Sequence, residues 1–120
     1  MIKQSLILAA AAVLAMPAAS AFAAGNAAAG AAVAAKKCAG CHGATGAGNG
    51  PELQMLNVTV PPVPWTDKAK MSKFSDAYLT KIVTDGGRAV GKGPLMAPFK
   101  GKLTAAQISD AIAYIRSLAK

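Results

Sequence analysis

Acidic residues are scarce in this sequence. Five Asp or Glu stand against 13 Lys or Arg among 120 residues, so the formal net charge is +8. The basic residues do not alternate with aromatic ones as in a groove for single-stranded nucleic acid, and no helix-turn-helix or zinc-finger spacing is present. We therefore predict no nucleic-acid partner, and we expect the charge to favour solubility and acidic protein partners.

Strand patterns are absent. No segment alternates apolar and polar residues as a half-buried strand would, whereas three segments carry the signals of a helix. The first predicted helix lies in the region from Asn26 to about Cys41, with Asn26 as its cap and its end among Lys36 and Lys37. The second runs from Ser75 to Gly86-Gly87, and the third starts at Thr104, which forms a predicted capping box with Gln107. One apolar stripe is predicted on the third helix: Ile108, Ala111, Ile112, Ile115 and Leu118. The fold class is therefore predicted to be all-α, with three main helices.

Large apolar side chains are too few to fill the interior of such a fold. The chain has 3 Phe, 2 Tyr and 1 Trp, and a domain of this size buries only a modest fraction of its surface. The region from Gly43 to Lys73 is rich in Gly and Pro, and its predicted loop is longer than compact domains usually contain. A bound apolar group that the loop surrounds would account for both features.

The first 24 residues have the pattern of a secretory signal peptide. Lys3 provides the positive start, an apolar run follows, and Ala21-Phe22-Ala23 supplies the small residues of a cleavage site. We predict a signal peptide at residues 1–24 and an exported, periplasmic domain at residues 25–120. An uncleaved membrane anchor is the alternative, because Leu6 to Ala24 contains no charge.

Cysteine and histidine are also scarce, and all of them lie in one pentapeptide. Cys38, Cys41 and His42 form the C-x-x-C-H pattern by which a c-type haem is attached. Two thiols three positions apart share one side of a helical turn and can each add to a vinyl group, while the next residue offers its imidazole to iron. A disulfide would close almost no loop, a thioredoxin-like dithiol would need a βαβ setting, and a zinc site would need a carboxylate as its fourth ligand. We therefore predict one covalently attached haem c.

The single histidine bears on the other axial position of the iron. His42 cannot have a second histidine opposite it in the same chain, so that position is filled by a methionine, a lysine or water, or is open. Met55 and Met71 are expected to lie in the core. Met96 lies in a loop rich in Gly and Pro, where a rigid backbone can direct its sulfur. We predict His42 and Met96 as the metal ligands.

Taken together, these motifs resemble those of class I c-type cytochromes, which are soluble proteins with one haem. Gly30 stands eight residues before Cys38, like the family's glycine at the crossing of the first and last helices. Phe99 follows Met96 by three positions, as in the family's distal loop, and Tyr114 is similar to the aromatic residue of the terminal helix. The resemblance covers essentially all residues after the signal peptide, and it implies a small fold whose long loops wrap around one haem.

The resemblance also implies roles for two further residues. Gly50-Pro51 resembles the segment whose proline carbonyl accepts the ring N–H of the proximal histidine, and Trp65 resembles a tryptophan that donates to a haem propionate. Core packing alone is the alternative for Trp65. Two positions depart from the family, because Ala34 stands where an aromatic residue is usual and Ala97 follows Met96 where proline is usual.

The expected function is one-electron transfer. With both axial positions filled, iron has no vacancy for a substrate, so we predict an electron carrier rather than an enzyme. The resemblance implies a monomer that serves a respiratory chain and has no small-molecule substrate. The alternatives are a haem-bearing subunit of a membrane oxidoreductase, and a haem enzyme or gas sensor with an open distal site. Lysines near the ligand motifs are expected either to be merely solvated or to attract acidic surfaces of redox partners: Lys36, Lys37, Lys92, Lys100 and Lys102.

Overall fold

The protein is described by a computed structural model that covers Ala12 and residues 25–120. The predicted signal peptide, residues 1–24, lies outside the described residues apart from Ala12. The described part is helical and contains no β-strand, which confirms the predicted all-α class. Its elements are α1 (Ala27–Lys37), α2 (Ala39–His42), α3 (Glu52–Met55), α4 (Lys68–Met71), α5 (Asp76–Asp85), a 3₁₀ turn (Gly87–Val90) and α6 (Ala105–Leu118). None of the helices in this part is both long and apolar enough to cross a bilayer.

The three main helices begin at the residues that the sequence indicates. The side chains of Asn26 and Ser75 each accept a hydrogen bond from the N–H three residues further along. Thr104 accepts from the N–H of Gln107, while the Gln107 side chain accepts from the N–H of Thr104, so the predicted capping box is formed. Each bond satisfies a donor that the first turn of a helix leaves unpaired.

The first helix ends at Lys37, among the two lysines where its end is predicted and before the cysteine motif. α1 stops at Lys37, and Cys38 has the non-helical angles φ −121° and ψ −29°. The N–H of Cys38 still donates to the carbonyl of Ala34 at 2.9 Å, and the carbonyl of Cys38 accepts from the N–H of His42 at 2.9 Å. The predicted end of the first helix is therefore confirmed, and the cysteine motif forms a short helix of its own.

The predicted loop from Gly43 to Lys73 contains the short helices α3 and α4. Asp67 caps α4 by accepting from the N–H of Lys70 at 3.0 Å. Met71, at the end of α4, is 2% exposed and lies in the core as predicted, whereas the Met55 side chain at the end of α3 is 75% exposed. The expectation that Met55 fills the core is therefore wrong.

The most extensive contact between described helices joins α1 to α6. At the crossing, a Cβ built on Gly30 would lie well within 3.0 Å of the carbonyl oxygen of Asp110, so the two backbones touch. The N–H of Asn26 donates to the Asp110 carboxylate at 2.7 Å. The start of the domain is thus held directly on its last helix.

The core lies between α1, α5 and α6, and the segments around Trp65 and Met71 complete it. The apolar stripe predicted for α6 is buried at four of its five positions, and Leu118 packs at the margin. Ala34 is buried at the position where the resembling family usually has an aromatic residue. The buried apolar residues are Ala34, Trp65, Met71, Leu79, Val83, Ile108, Ala111, Ile112 and Ile115.

Arg116 joins α6 to the segment between α4 and α5. Its guanidinium donates to Asp76 Oδ1 at 2.8 Å, to the carbonyl of Met71 at 3.0 Å and to the carbonyl of Phe74. We expect Arg116→Met to lower the free energy of unfolding by about 2–3 kcal/mol, because two half-buried carbonyls lose their donors. Urea denaturation of the haem-loaded protein measures this change.

The matched control for Arg116→Met is Lys81→Met. Lys81 forms an exposed ion pair with Asp85 at 3.7 Å, and such pairs contribute about 0–1 kcal/mol. Equal losses of stability in the two variants would contradict the structural role given to Arg116.

Candidate functional site

The predicted haem-binding residues share one helical turn. Cys38 is the residue before α2, and Cys41 and His42 are its last two residues. Both thiols are free and partly buried. Residues three apart lie on one side of such a turn, so the two sulfur atoms belong to the same face of the chain.

Backbone hydrogen bonds hold the glycine-rich loop against this turn. The N–H of Gly48 donates to the carbonyl of His42 at 2.8 Å, and the N–H of Gly50 donates to the carbonyl of Cys41 at 3.0 Å. Further along, the N–H of Trp65 donates to the carbonyl of Gly46 at 2.8 Å. The first two bonds satisfy carbonyls at the C-terminal end of α2, which have no partner within the helix, and the third joins the Trp65 segment to the loop.

His42 is largely buried against an aromatic ring. Its imidazole stacks on the indole of Trp65, with ring centroids 4.5 Å apart and an interplanar angle of 22°. Burial lowers the pKa of His42 to about 4. The imidazole is therefore neutral at neutral pH and keeps a nitrogen lone pair that can bind a metal.

Nδ1 of His42 is buried and has no hydrogen-bond partner among the described residues. Pro51, whose carbonyl was expected to accept from this ring, lies directly before α3 at the surface. The predicted hydrogen bond is therefore not formed in this structure, although Gly50 brings the segment to the turn. Trp65 contacts the imidazole itself, and its contact with a propionate stays a prediction.

Glu52 is a residue of the site that the sequence reading missed. Cys41 Sγ donates to Glu52 Oε2 at 3.7 Å. Burial raises the pKa of the Cys41 thiol, and the nearby Glu52 carboxylate raises it further. Burial is also the main reason that the pKa of Cys38 is raised. A proline that opens a helix before a Glu was the available signal, but it says nothing about which residue the Glu contacts.

The loop that carries Met96 is attached to the end of α5. The carbonyl of Met96 accepts from the N–H of Gly87 at 2.8 Å. The N–H of Phe99 donates to the carbonyl of Val83, and the N–H of Lys100 donates to the carbonyl of Thr84, both at 3.0 Å. These bonds pair carbonyls in the last turn of α5, so the helix end fixes the loop.

Met96 and Cys38 pack against the same buried core. Both are partly buried, and they contact the cluster that contains Trp65 and Met71. The structure thus joins the cysteine turn and the Met96 loop through shared packing. Gly86 and Gly87 are close to the backbone or Cβ of Met96, and the sequence reading had assigned them only a helix stop.

Several large apolar side chains of the connecting segments are exposed to solvent. Val60 and Val63 belong to the proline-rich segment, and Leu95 precedes Met96. Apolar surface of this kind gains free energy when an apolar group covers it, by roughly 25 cal/mol per Å². The exposed large hydrophobic residues are Met55, Leu56, Val60, Val63 and Leu95.

The residues of this site fit the predicted haem. Two free thiols and a neutral imidazole lie in one turn, and a ring nitrogen of that imidazole is buried without a partner. A second, backbone-anchored loop offers a thioether. Across residues 25–120, no group of three or more His, Cys, Asp or Glu is arranged to hold a metal ion.

Comparison with known proteins agrees with this chemistry. A family model described as Cytochrome c matches residues 27–119. Among solved structures, the chain is similar to the KustC0563 c-type cytochrome, with 25% sequence identity and a TM-score of 0.59. That alignment covers 76% of this chain and 98% of the other. A search of curated proteins finds no match.

Proposed function

Because this chain belongs to the cytochrome c family, we propose that it is a periplasmic one-electron carrier with iron held between His42 and Met96. Cytochromes c carry a covalently attached haem c, and this group supplies one-electron exchange when it is bound. The residues that would attach it are Cys38 and Cys41. The observation that carries the proposal is the buried, neutral His42 in the same turn as the two free thiols.

His42 would serve as the proximal ligand without first losing a proton. Its pKa of about 4 leaves the ring neutral throughout the physiological range. Stacking on Trp65 restrains the rotation of the imidazole about its side-chain bonds. We expect Trp65 to act mainly by orienting this ring, since it is 7% exposed and in direct contact with it.

Met96 would serve as the distal ligand. A thioether is a soft donor that favours the ferrous state and raises the reduction potential. The bonds from Gly87, Phe99 and Lys100 limit the positions that the loop can adopt. A ligand that stays in place leaves no open coordination position, and this favours a carrier over an enzyme or gas sensor.

Purified protein from the periplasm of an expressing cell tests the proposal directly. Its intact mass should equal the mass of the polypeptide that begins at residue 24 or 25, plus the mass of one haem. Neither thiol should then react with a thiol reagent, because both would be thioethers. Carbon monoxide binding by the native ferrous protein at neutral pH would contradict the closed site and favour an enzyme or sensor.

The partners would be redox proteins with acidic surfaces near their own cofactors. Lys100 and Lys102 are exposed and follow Met96 by four and six residues. Lys36 and Lys37 are exposed at the end of α1, directly before Cys38. Positive charge on both sides of the proposed haem site would steer an acidic partner towards it.

Charge reversal of Lys100 and Lys102 together tests this steering. We expect the second-order rate constant with an acidic redox partner to fall on the order of tenfold at low ionic strength, because electrostatic attraction accelerates association. The difference should shrink as salt is added. Stopped-flow mixing over a salt series measures both effects.

The control reverses Lys70 and Lys81, which changes the net charge by the same amount. These two lysines already pair with Asp67 and Asp85. If the control slowed the reaction as much as the test pair, net charge rather than a local surface would govern docking.

A further inference from the structure

Glu52 lies over the turn that carries the cysteines. It is the first residue of α3, and its Oε2 accepts from Cys41 Sγ at 3.7 Å. The hydrogen bond from Gly50 N–H to the carbonyl of Cys41, at 3.0 Å, holds the start of α3 on the same turn. The backbone from which the Glu52 side chain extends is therefore held on the turn that carries Cys41.

Gly40 leaves the space that this carboxylate occupies, and Gly50 lets the segment before α3 approach the cysteine turn closely. A Cβ built on Gly40, between the two cysteines, would lie well within 3.0 Å of Glu52 Oε1. A Cβ built on Gly50 would lie equally close to the carbonyl oxygen of Gly40. A methyl group at position 40 would therefore displace the Glu52 carboxylate from its present place beside Cys41.

No described cation neutralises this carboxylate. The ion pairs found within the described residues are Lys70–Asp67, Lys81–Asp85 and Arg116–Asp76. Glu52 belongs to none of them, and its side-chain contact is with the Cys41 thiol. Once that thiol became a thioether, its proton would have been added to the vinyl carbon, and the carboxylate would lose this donor.

We propose that Glu52 tunes the reduction potential of the haem through its negative charge, and this inference rests on the proposed function. Sulfur of Cys41 is an atom through which the haem would be joined to the chain, so a carboxylate beside it is close to the haem. Negative charge there stabilises the oxidised iron relative to the reduced iron by Coulomb attraction. Glu52 thus holds the potential lower than the His and Met ligands alone would set it.

A series of charges at position 52 tests the proposal. We expect Glu52→Gln to favour the reduced form about two- to fivefold, which corresponds to a rise of about 20–40 mV for a one-electron couple. Glu52→Lys should raise the potential by about twice as much, because it changes the charge by two units. Both rises should shrink at high ionic strength, since the side chain is exposed. Spectroelectrochemical titration of the haem-loaded proteins gives the midpoints.

Asp85→Asn is the matched control, because it removes one carboxylate charge from the exposed pair with Lys81. Gly40→Ala supplies an independent variant, since its methyl group would displace the Glu52 carboxylate and raise the potential in the same direction. In the Glu52→Gln background, Gly40→Ala should have no further effect, as expected for residues that act through one contact.

This inference would be overturned if Glu52→Gln and Asp85→Asn had the same midpoint potential in protein that carries covalent haem and exchanges electrons. The proposed function would then remain intact. The inference would also be overturned if Gly40→Ala shifted the potential by the same amount with Gln at position 52 as with Glu. The effect of the methyl group would then be steric. Protein without covalent haem would instead contradict the proposed function itself.

Discussion

We expect replacement of Met96, the proposed distal ligand, by alanine to open one axial position of the iron and to lower the midpoint potential by about a hundred millivolts. Axial ligands together span a range of roughly 0.8 V. The oxidised protein loses the weak long-wavelength absorption band of methionine-to-iron charge transfer. The ferrous protein gains the ability to bind carbon monoxide. Absorption spectroscopy and a redox titration of the same preparation measure all three results.

Two other methionine variants control for the loss of a thioether. Met55→Ala removes a side chain that is 75% exposed, so we expect neither the spectrum nor the stability to change. Met71→Ala removes a side chain that is 2% exposed in the core, so we expect a loss of about 2–5 kcal/mol in stability with the band retained. Retention of the band in Met96→Ala would show that another residue binds the iron.

Gly30→Ala destabilises the domain by about 3 kcal/mol or more, although alanine is the better helix former by about 1 kcal/mol. The added methyl group would collide with the carbonyl oxygen of Asp110, which belongs to the backbone of α6 and cannot rotate away. The helices would have to separate along their most extensive contact. Chemical denaturation of the haem-loaded protein measures the loss.

Ala32→Gly on the exposed side of α1 provides the comparison for Gly30→Ala. This variant lowers the helix propensity of α1 without altering its crossing with α6, so we expect the free energy of unfolding to fall by about 1 kcal/mol. A stabilising effect of Gly30→Ala, as propensity alone predicts, would show that α1 and α6 do not touch through their backbones at this position.

The features that the sequence predicted well depend on residues close together in the chain. The Ser75 cap and the Thr104–Gln107 box involve partners three residues away, and the C-x-x-C-H motif is a pentapeptide. The four buried positions of α6 follow a helical period that tertiary packing did not alter. Local chemistry was enough to predict each of these.

The features that the sequence did not predict depend on distant residues or on the surroundings of one side chain. The contact of Cys41 with Glu52 spans 11 positions, and His42 and Trp65 stack although they are 23 positions apart. Met55 is exposed although its residue type is usually buried, because α2 contacts α3 without covering this side chain.

The pairing of the first main helix with the last one determines when the fold can form. The N–H of Asn26 and the Asp110 carboxylate that it contacts are 84 residues apart, and Gly30 meets the same helix. Until α6 is present and folded, α1 lacks its most extensive native contact. The thiols next to α1 therefore remain reachable for as long as the chain is incomplete. A haem joined to Cys38 and Cys41, as proposed, would have this interval in which to be attached before native packing restricts access to the two cysteines.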